Sequence, residues 1–277
     1  MNPHSIIDMF SYAFIVKAMV VGVLVSICAS LLGVILVLKN YSLIGHGLSD
    51  VGFASLSLAL ALGVSPLLFA APIMIIISFV IMYVSQSKKI NGDVAIGIFS
   101  TASLAIGVII NALSQGFNAD VYSYMFGSIL SMTTFDVILS VILSLVVLVV
   151  FLIFYNRLFL ITCDEDFAKA SGINTTFYHF AIAFLTAVTV VLGMRMMGTL
   201  LISSLIIFPA FIAKKLTKSF KGLMIVSAIV SVLCFILGIV LSFIVNIPTG
   251  ASIVAVNIAA MIMTSVYGYI INKMAFN

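Results

Sequence analysis

His46 and Asp50 carry the two side chains in this sequence best suited to holding an ion. They lie in the stretch Tyr41-Ser-Leu-Ile-Gly-His-Gly-Leu-Ser-Asp-Val51, four residues apart and so on one face of a helix. Imidazole and carboxylate are ordinary ligands for zinc and other first-row divalent ions, and manganese also favours carboxylate. The chain is 64% hydrophobic and 7% charged. Each ionisable group at membrane depth therefore carries a desolvation cost, about 2.5–3.5 kcal/mol for a central Asp. Gly45 and Gly47 flank the histidine and let another backbone come close. Two ligands are too few for a zinc site, so a second copy of the chain or other spans must complete it. A competing reading is an internal His–Asp hydrogen bond that locks helices together and holds nothing. Residue types alone leave both open.

The elements that must position this pair are membrane helices. A mean hydropathy of +1.39 over 277 residues predicts an all-α, polytopic helical membrane protein with about 8–9 transmembrane helices. A soluble domain would carry about a quarter charged residues. Tryptophan is absent, so interfacial aromatics are the nine tyrosines and some phenylalanines. The N-terminus has no basic region and no small-residue cleavage pattern, so its first apolar run is expected to be a retained span. The net charge of +4 comes from lysines at span ends and gives no reason to expect nucleic acid. Cys28, Cys163 and Cys234 are single and scattered, which fits neither a disulfide framework nor a zinc finger.

Hydropathy breaks give nine apolar segments: 11–38, 44–63, 66–86, 94–114, 135–155, 177–194, 197–213, 222–245 and 250–272. The segment 197–213 is short and holds Pro209, which predicts a broken or partly crossing helix and leaves eight crossings open. With Lys39 on the cytoplasmic side, alternation places ten of the twelve basic residues in cytoplasmic segments, leaving Lys17 and Arg195. The loop 115–134 on the other side has Asp120 and no Lys or Arg. This distribution predicts the C-terminus inside and, for nine crossings, the N-terminus outside. Asp50 then lies at most about 16 Å beyond Lys39, close to mid-depth in a core of about 30 Å. No Pro-, Ser- or charge-rich linker divides the chain, so residues 1–277 are expected to form a single transmembrane domain.

The cytoplasmic connection 156–176 contains Cys163-Asp-Glu-Asp-Phe-Ala-Lys-Ala-Ser-Gly-Ile173. Acidic residues at its start and Gly172 at its end predict a short helix, either a plain connector or a plug for a soluble partner. Ser203, Ser204 and Pro209 supply hydroxyls and a freed carbonyl at membrane depth, which serve helix packing or line a path. The Met194-Arg-Met-Met197 run is expected to fill core, with Arg195 snorkelling or paired. Asn111, Gln115, Asn246 and Asn257 are expected to bond between helices, His179 to sit at the interface, and His4 in a tail. There is no G-x-x-x-x-G-K-[ST], H-E-x-x-H or G-x-S-x-G. An intramembrane enzyme has no support, and any ATP must be bound by another polypeptide.

Several stretches resemble, in order along the chain, the membrane permeases of ABC-type metal-ion importers, the zinc/manganese/iron group called ABC-3. They are Lys39 to Val51; Asp93-Val-Ala-Ile-Gly-Ile-Phe99; Tyr124-Met-Phe-Gly-Ser-Ile-Leu130; Asp166-Phe-Ala-Lys-Ala-Ser-Gly-Ile173; Met197-Gly-Thr-Leu-Leu-Ile-Ser-Ser-Leu-Ile-Ile-Phe-Pro-Ala210; and Ile247-Pro-Thr-Gly-Ala-Ser-Ile253. The resemblance implies a metal site at His46 and Asp50, although the family commonly has Asp at the first position and His at the second. It implies contact with an ATPase through Asp164, Glu165, Asp166, Phe167, Ala168, Ala170 and Gly172. The implied working unit is a permease homodimer in a prokaryotic cytoplasmic membrane, with two cytoplasmic ATP-binding subunits and an extracytoplasmic metal-binding protein. The divalent metal ion would be transported substrate, with no bound cofactor. A secondary transporter using His46 and Asp50 to relay protons or bind a driving ion is the alternative.

Overall fold

The computed structural model describes residues 13–64, 66–86, 92–114 and 134–275. Among these the chain is helical throughout, without strands. The helices are α1 (Ala13–Leu38), α2 (Ile44–Ala61), α3 (Pro66–Ser85), α4 (Gly92–Leu113), α5 (Thr134–Cys163), α6 (Glu165–Ala170), α7 (Thr175–Met197), α8 (Thr199–Leu216), α9 (Phe220–Val245) and α10 (Thr249–Ala275). Helices satisfy every backbone polar group within one segment, which is what an apolar solvent demands. Eight of them, all but α6 and α8, are long and apolar enough to cross a membrane by length and composition.

The α8 helix lies at the centre, against α1, α2, α7, α9 and α10. Leu201, Ile202, Leu205 and Ile206 on it are fully buried. The expected break at Pro209 is absent, and α8 runs unbroken through it to Lys214 and Lys215 in its last turn. The interruption falls earlier, at Gly198, whose φ of 87° lets α7 end and α8 begin with a single residue between them. Small hydroxyl residues hold α1 against α9: Ser231 donates to the Ser26 carbonyl at 3.0 Å and Ser227 to the Ser30 carbonyl at 3.3 Å.

The α5 helix extends eight residues beyond the expected 135–155, to Cys163. Nothing from Asn156 to Cys163 breaks a helix, and Leu158 and Ile161 find buried places there. The following turn is the short helix expected, with Asp164 accepting from the Phe167 amide at 2.9 Å and Gly172 beyond its end at φ 78°. Met194 and Met197 are buried in the core as expected.

His179, expected at the interface, is 2% exposed within the chain, and Glu165 of α6 lies 3.3 Å from its Nε2. The asparagines depart from expectation. Asn257 donates to Ile253 of its own helix at 3.0 Å, the buried Asn111 Nδ2 has no hydrogen-bond partner among the described residues, and Asn246 ends α9 in a left-handed conformation. His4, Lys88, Lys89, Gln115, Asp120 and the 124–130 turn lie outside the described residues, as do the side chains of Arg195, Met196 and Lys273.

Candidate metal centre

The chain leaves α1 through Asn40, in the left-handed region at φ 59°, and re-enters a helix at Ile44. His46 therefore stands in the first turn of α2, with Asp50 one turn further on the same face. Glycines on either side of His46 fix its surroundings. A Cβ on Gly45 would lie 2.6 Å from Ile206 Cδ1 of α8, and one on Gly47 would lie 2.7 Å from Ile96 Cγ2 of α4. A side chain at either position would have to displace an isoleucine, so α2 packs closely between α4 and α8; a backbone atom, the Ile96 carbonyl oxygen at 3.5 Å, comes near only at Gly47.

His46 Nε2 and Asp50 Oδ2 are 3.8 Å apart. That is too long for a hydrogen bond. Two donors each about 2.1 Å from one ion can lie up to about 4.2 Å apart, so the spacing suits a shared ion. The His46 side chain is 52% exposed and that of Asp50 14%, so the pair opens at the surface of the chain. Asp50 Oδ2 also accepts from the Ser100 hydroxyl of α4, which is itself buried. Hydrogen bonding to a ligating carboxylate fixes its orientation. Among the described residues no three His, Cys, Asp or Glu side chains converge, so the pair has no third group of this kind beside it there.

The remaining expected residues divide. Ser203 of α8 meets Ser49 of α2: its hydroxyl is 3.4 Å from that of Ser49 and 3.2 Å from the Thr199 carbonyl to which it donates. Ser204 donates to the Leu201 carbonyl of its own helix at 2.8 Å, and Pro209 sits more than a turn beyond. On α6, Ala168 is buried while Asp164, Asp166, Phe167 and Ala170 are exposed, as is Gly172 just past its end.

Glu165 is different from its neighbours on α6. It accepts from Lys39 Nζ at 2.5 Å and from Lys169 Nζ at 2.9 Å, and lies 3.3 Å from His179 Nε2 without the alignment of a hydrogen bond. Burial pushes the Glu165 carboxyl up, but the Lys39 and Lys169 hydrogen bonds and the neighbouring charges outweigh it and hold the carboxyl down at about 2. Sequence reasoning missed both Ser100 and the Lys39–Glu165 pair. Ser100 lies two turns from Asp93 on one face of α4, a weak signal. Nothing local joins residues 39 and 165.

The model of the ABC 3 transport family matches residues 11–268. The chain belongs to that family. Its relatives include the manganese import system permease protein ScaB of Streptococcus gordonii, 28% identical over 88% of this chain and 87% of that protein. A probable metal transport system membrane protein of Thermotoga maritima is 31% identical over 90% of this chain and 88% of its own length. The high-affinity zinc uptake system membrane protein ZnuB of Haemophilus influenzae is 28% identical over 89% and 94%. Among solved structures, PsaBC from Streptococcus pneumoniae in complex with Fab superposes with a TM-score of 0.81, at 27% identity and covering 93% of each chain.

Proposed function

We infer that this chain is the membrane-spanning permease subunit of an ATP-driven importer of divalent metal ions, with zinc or manganese as cargo. The observation that carries the metal assignment is the His46–Asp50 pair, held 3.8 Å apart on a glycine-clamped helix and left open on one side. Manganese and zinc permeases among the relatives support the cargo class. No observation favours the secondary-transporter reading in this family.

The open side of His46 is filled by the same pair from a second copy, so that a homodimer presents four donors to one ion. Residues 1–277 act as one permease domain in the cytoplasmic membrane. The end carrying Lys39, Glu165 and Lys169 faces the cytoplasm, with the C-terminus inside and, where α8 crosses as a ninth span, the N-terminus outside. There α6, with exposed Phe167 and Asp166, meets ATP-binding subunits that hydrolyse ATP on a separate polypeptide. An extracytoplasmic metal-binding protein delivers the ion from the other side. Rigid-body movement driven by the ATPases opens the pair alternately to each side, with Ser203, Ser204 and Pro209 near the path. The permease supplies ligands and a gate and makes or breaks no covalent bond.

Uptake of Mn2+ and Zn2+ by cells carrying His46→Ala or Asp50→Ala tests the assignment. Loss of uptake in both, with the complex still assembled, is expected. Wild-type uptake in both would remove the site.

A further inference from the structure

The Glu165 carboxylate joins separate stretches of chain. Its pair with Lys169 is local, one turn along α6. Its pair with Lys39 spans 126 positions and ties α6 to the segment that leads into α2. That segment is not slack. Tyr41 N donates to the Leu36 carbonyl at 2.8 Å, Ile44 N to the Tyr41 carbonyl at 3.1 Å, and Gly47 N to the Leu43 carbonyl at 2.9 Å. A series of closed turns therefore runs from Lys39 to His46 in seven residues.

The pair is also sheltered. Lys39 and Glu165 side chains are 14% and 32% exposed, and buried His179 of α7 backs them. Shelter of this kind makes an ion pair directional where a fully exposed one is loose. Beside it lies a cavity of about 760 Å3 that Lys39, Tyr41, Glu165 and His179 help to line. Buried Ser85 Oγ and Asp93 Oδ1 line the same cavity without hydrogen-bond partners among the described residues. The surroundings of the pair are therefore not close-packed, and the turn carrying Lys39 has room to move with α6.

We propose that the Lys39–Glu165 ion pair is the link by which displacement of α6 is passed to α2 and the His46–Asp50 site, making Lys39 and Glu165 positioning residues for transport. The proposal rests on the reading of α6 as the ATPase contact. Neither residue touches the ion; each acts through the closed turns that precede His46.

The test uses the whole complex, permease with its ATP-binding subunits and metal-binding protein, reconstituted in vesicles. ATP hydrolysis and Mn2+ accumulation are measured together as ions moved per ATP. Glu165→Gln and Lys39→Glu are expected to assemble and hydrolyse ATP while ions per ATP fall about tenfold. The double variant Lys39→Glu/Glu165→Lys is expected to recover most of the ratio, because Lys169, 55% exposed, can turn away into water. A static clamp would lower yield and activity together and leave the ratio alone. An unchanged ratio in the single variants, no recovery in the double, or failure of all three to assemble would each overturn the link. A wild-type complex that moves neither Mn2+ nor Zn2+ would instead refute the transport reading, and the link with it.

Discussion

Asp50 Oδ2 receives the Ser100 hydroxyl from α4 while standing 3.8 Å from His46 Nε2 on its own helix. One candidate ligand is thus steered by a neighbouring helix, and the other is left facing outward. A pair built only to neutralise itself would close to hydrogen-bond distance.

Ser100→Ala removes the group that orients Asp50 and leaves both donors in place. Supporting residues of this kind are worth about 10–100-fold in metal affinity. The KM for Mn2+ or Zn2+ uptake should rise by at least about tenfold, with a smaller change in maximal rate. An unaltered KM would mean that the hydroxyl does nothing for the site.

Gly47→Ala places a methyl 2.7 Å from Ile96 Cγ2. Overpacking of this sort costs about 1–3 kcal/mol. The melting temperature of the purified chain should fall. Gly268→Ala, where nothing lies within 4 Å, serves as the control and should cause no fall. Equal melting of Gly47→Ala and the control would contradict the clamp on α2.

His46→Asp/Asp50→His exchanges the two donors and keeps their face. If the donor set matters more than its order, uptake should persist within about tenfold of wild type while the Mn2+ to Zn2+ ratio shifts. Complete loss, with the protein still assembled, would show that the order is essential.

Glu165 titrates from the usual 4.5 to about 2 in the folded chain. The unfolded chain therefore binds more protons between those values. The stability contributed is present above about 4.5 and lost as pH falls towards about 2. Wild type should melt higher than Glu165→Gln at pH 7, with the gap closing over that acid range. A gap that persists undiminished at the acid end would assign it to something other than the charge.

Much of this was legible in the sequence because apolar runs and period-four spacing are local properties. The spans and the shared face of His46 and Asp50 follow from them, as do the close approaches at Gly45 and Gly47 and the acidic start of α6. What stayed hidden depends on contacts between distant segments. Ser100 meets Asp50 only because α4 packs on α2, and Lys39 meets Glu165 across 126 positions. The approach of Glu165 on α6 to the buried His179 on α7 is likewise a contact that no local pattern announces. Pro209 reads as a break, but α8, packed among five other helices, continues through it.

The most direct measurement is the metal content and coordination of the purified permease complex loaded with Mn2+ or Zn2+, read by elemental analysis and X-ray absorption. One ion per two chains is expected, bound by nitrogen and oxygen donors, and lost in both His46→Ala and Asp50→Ala while the complex stays assembled. Full metal content with unchanged coordination in either variant would contradict the assignment.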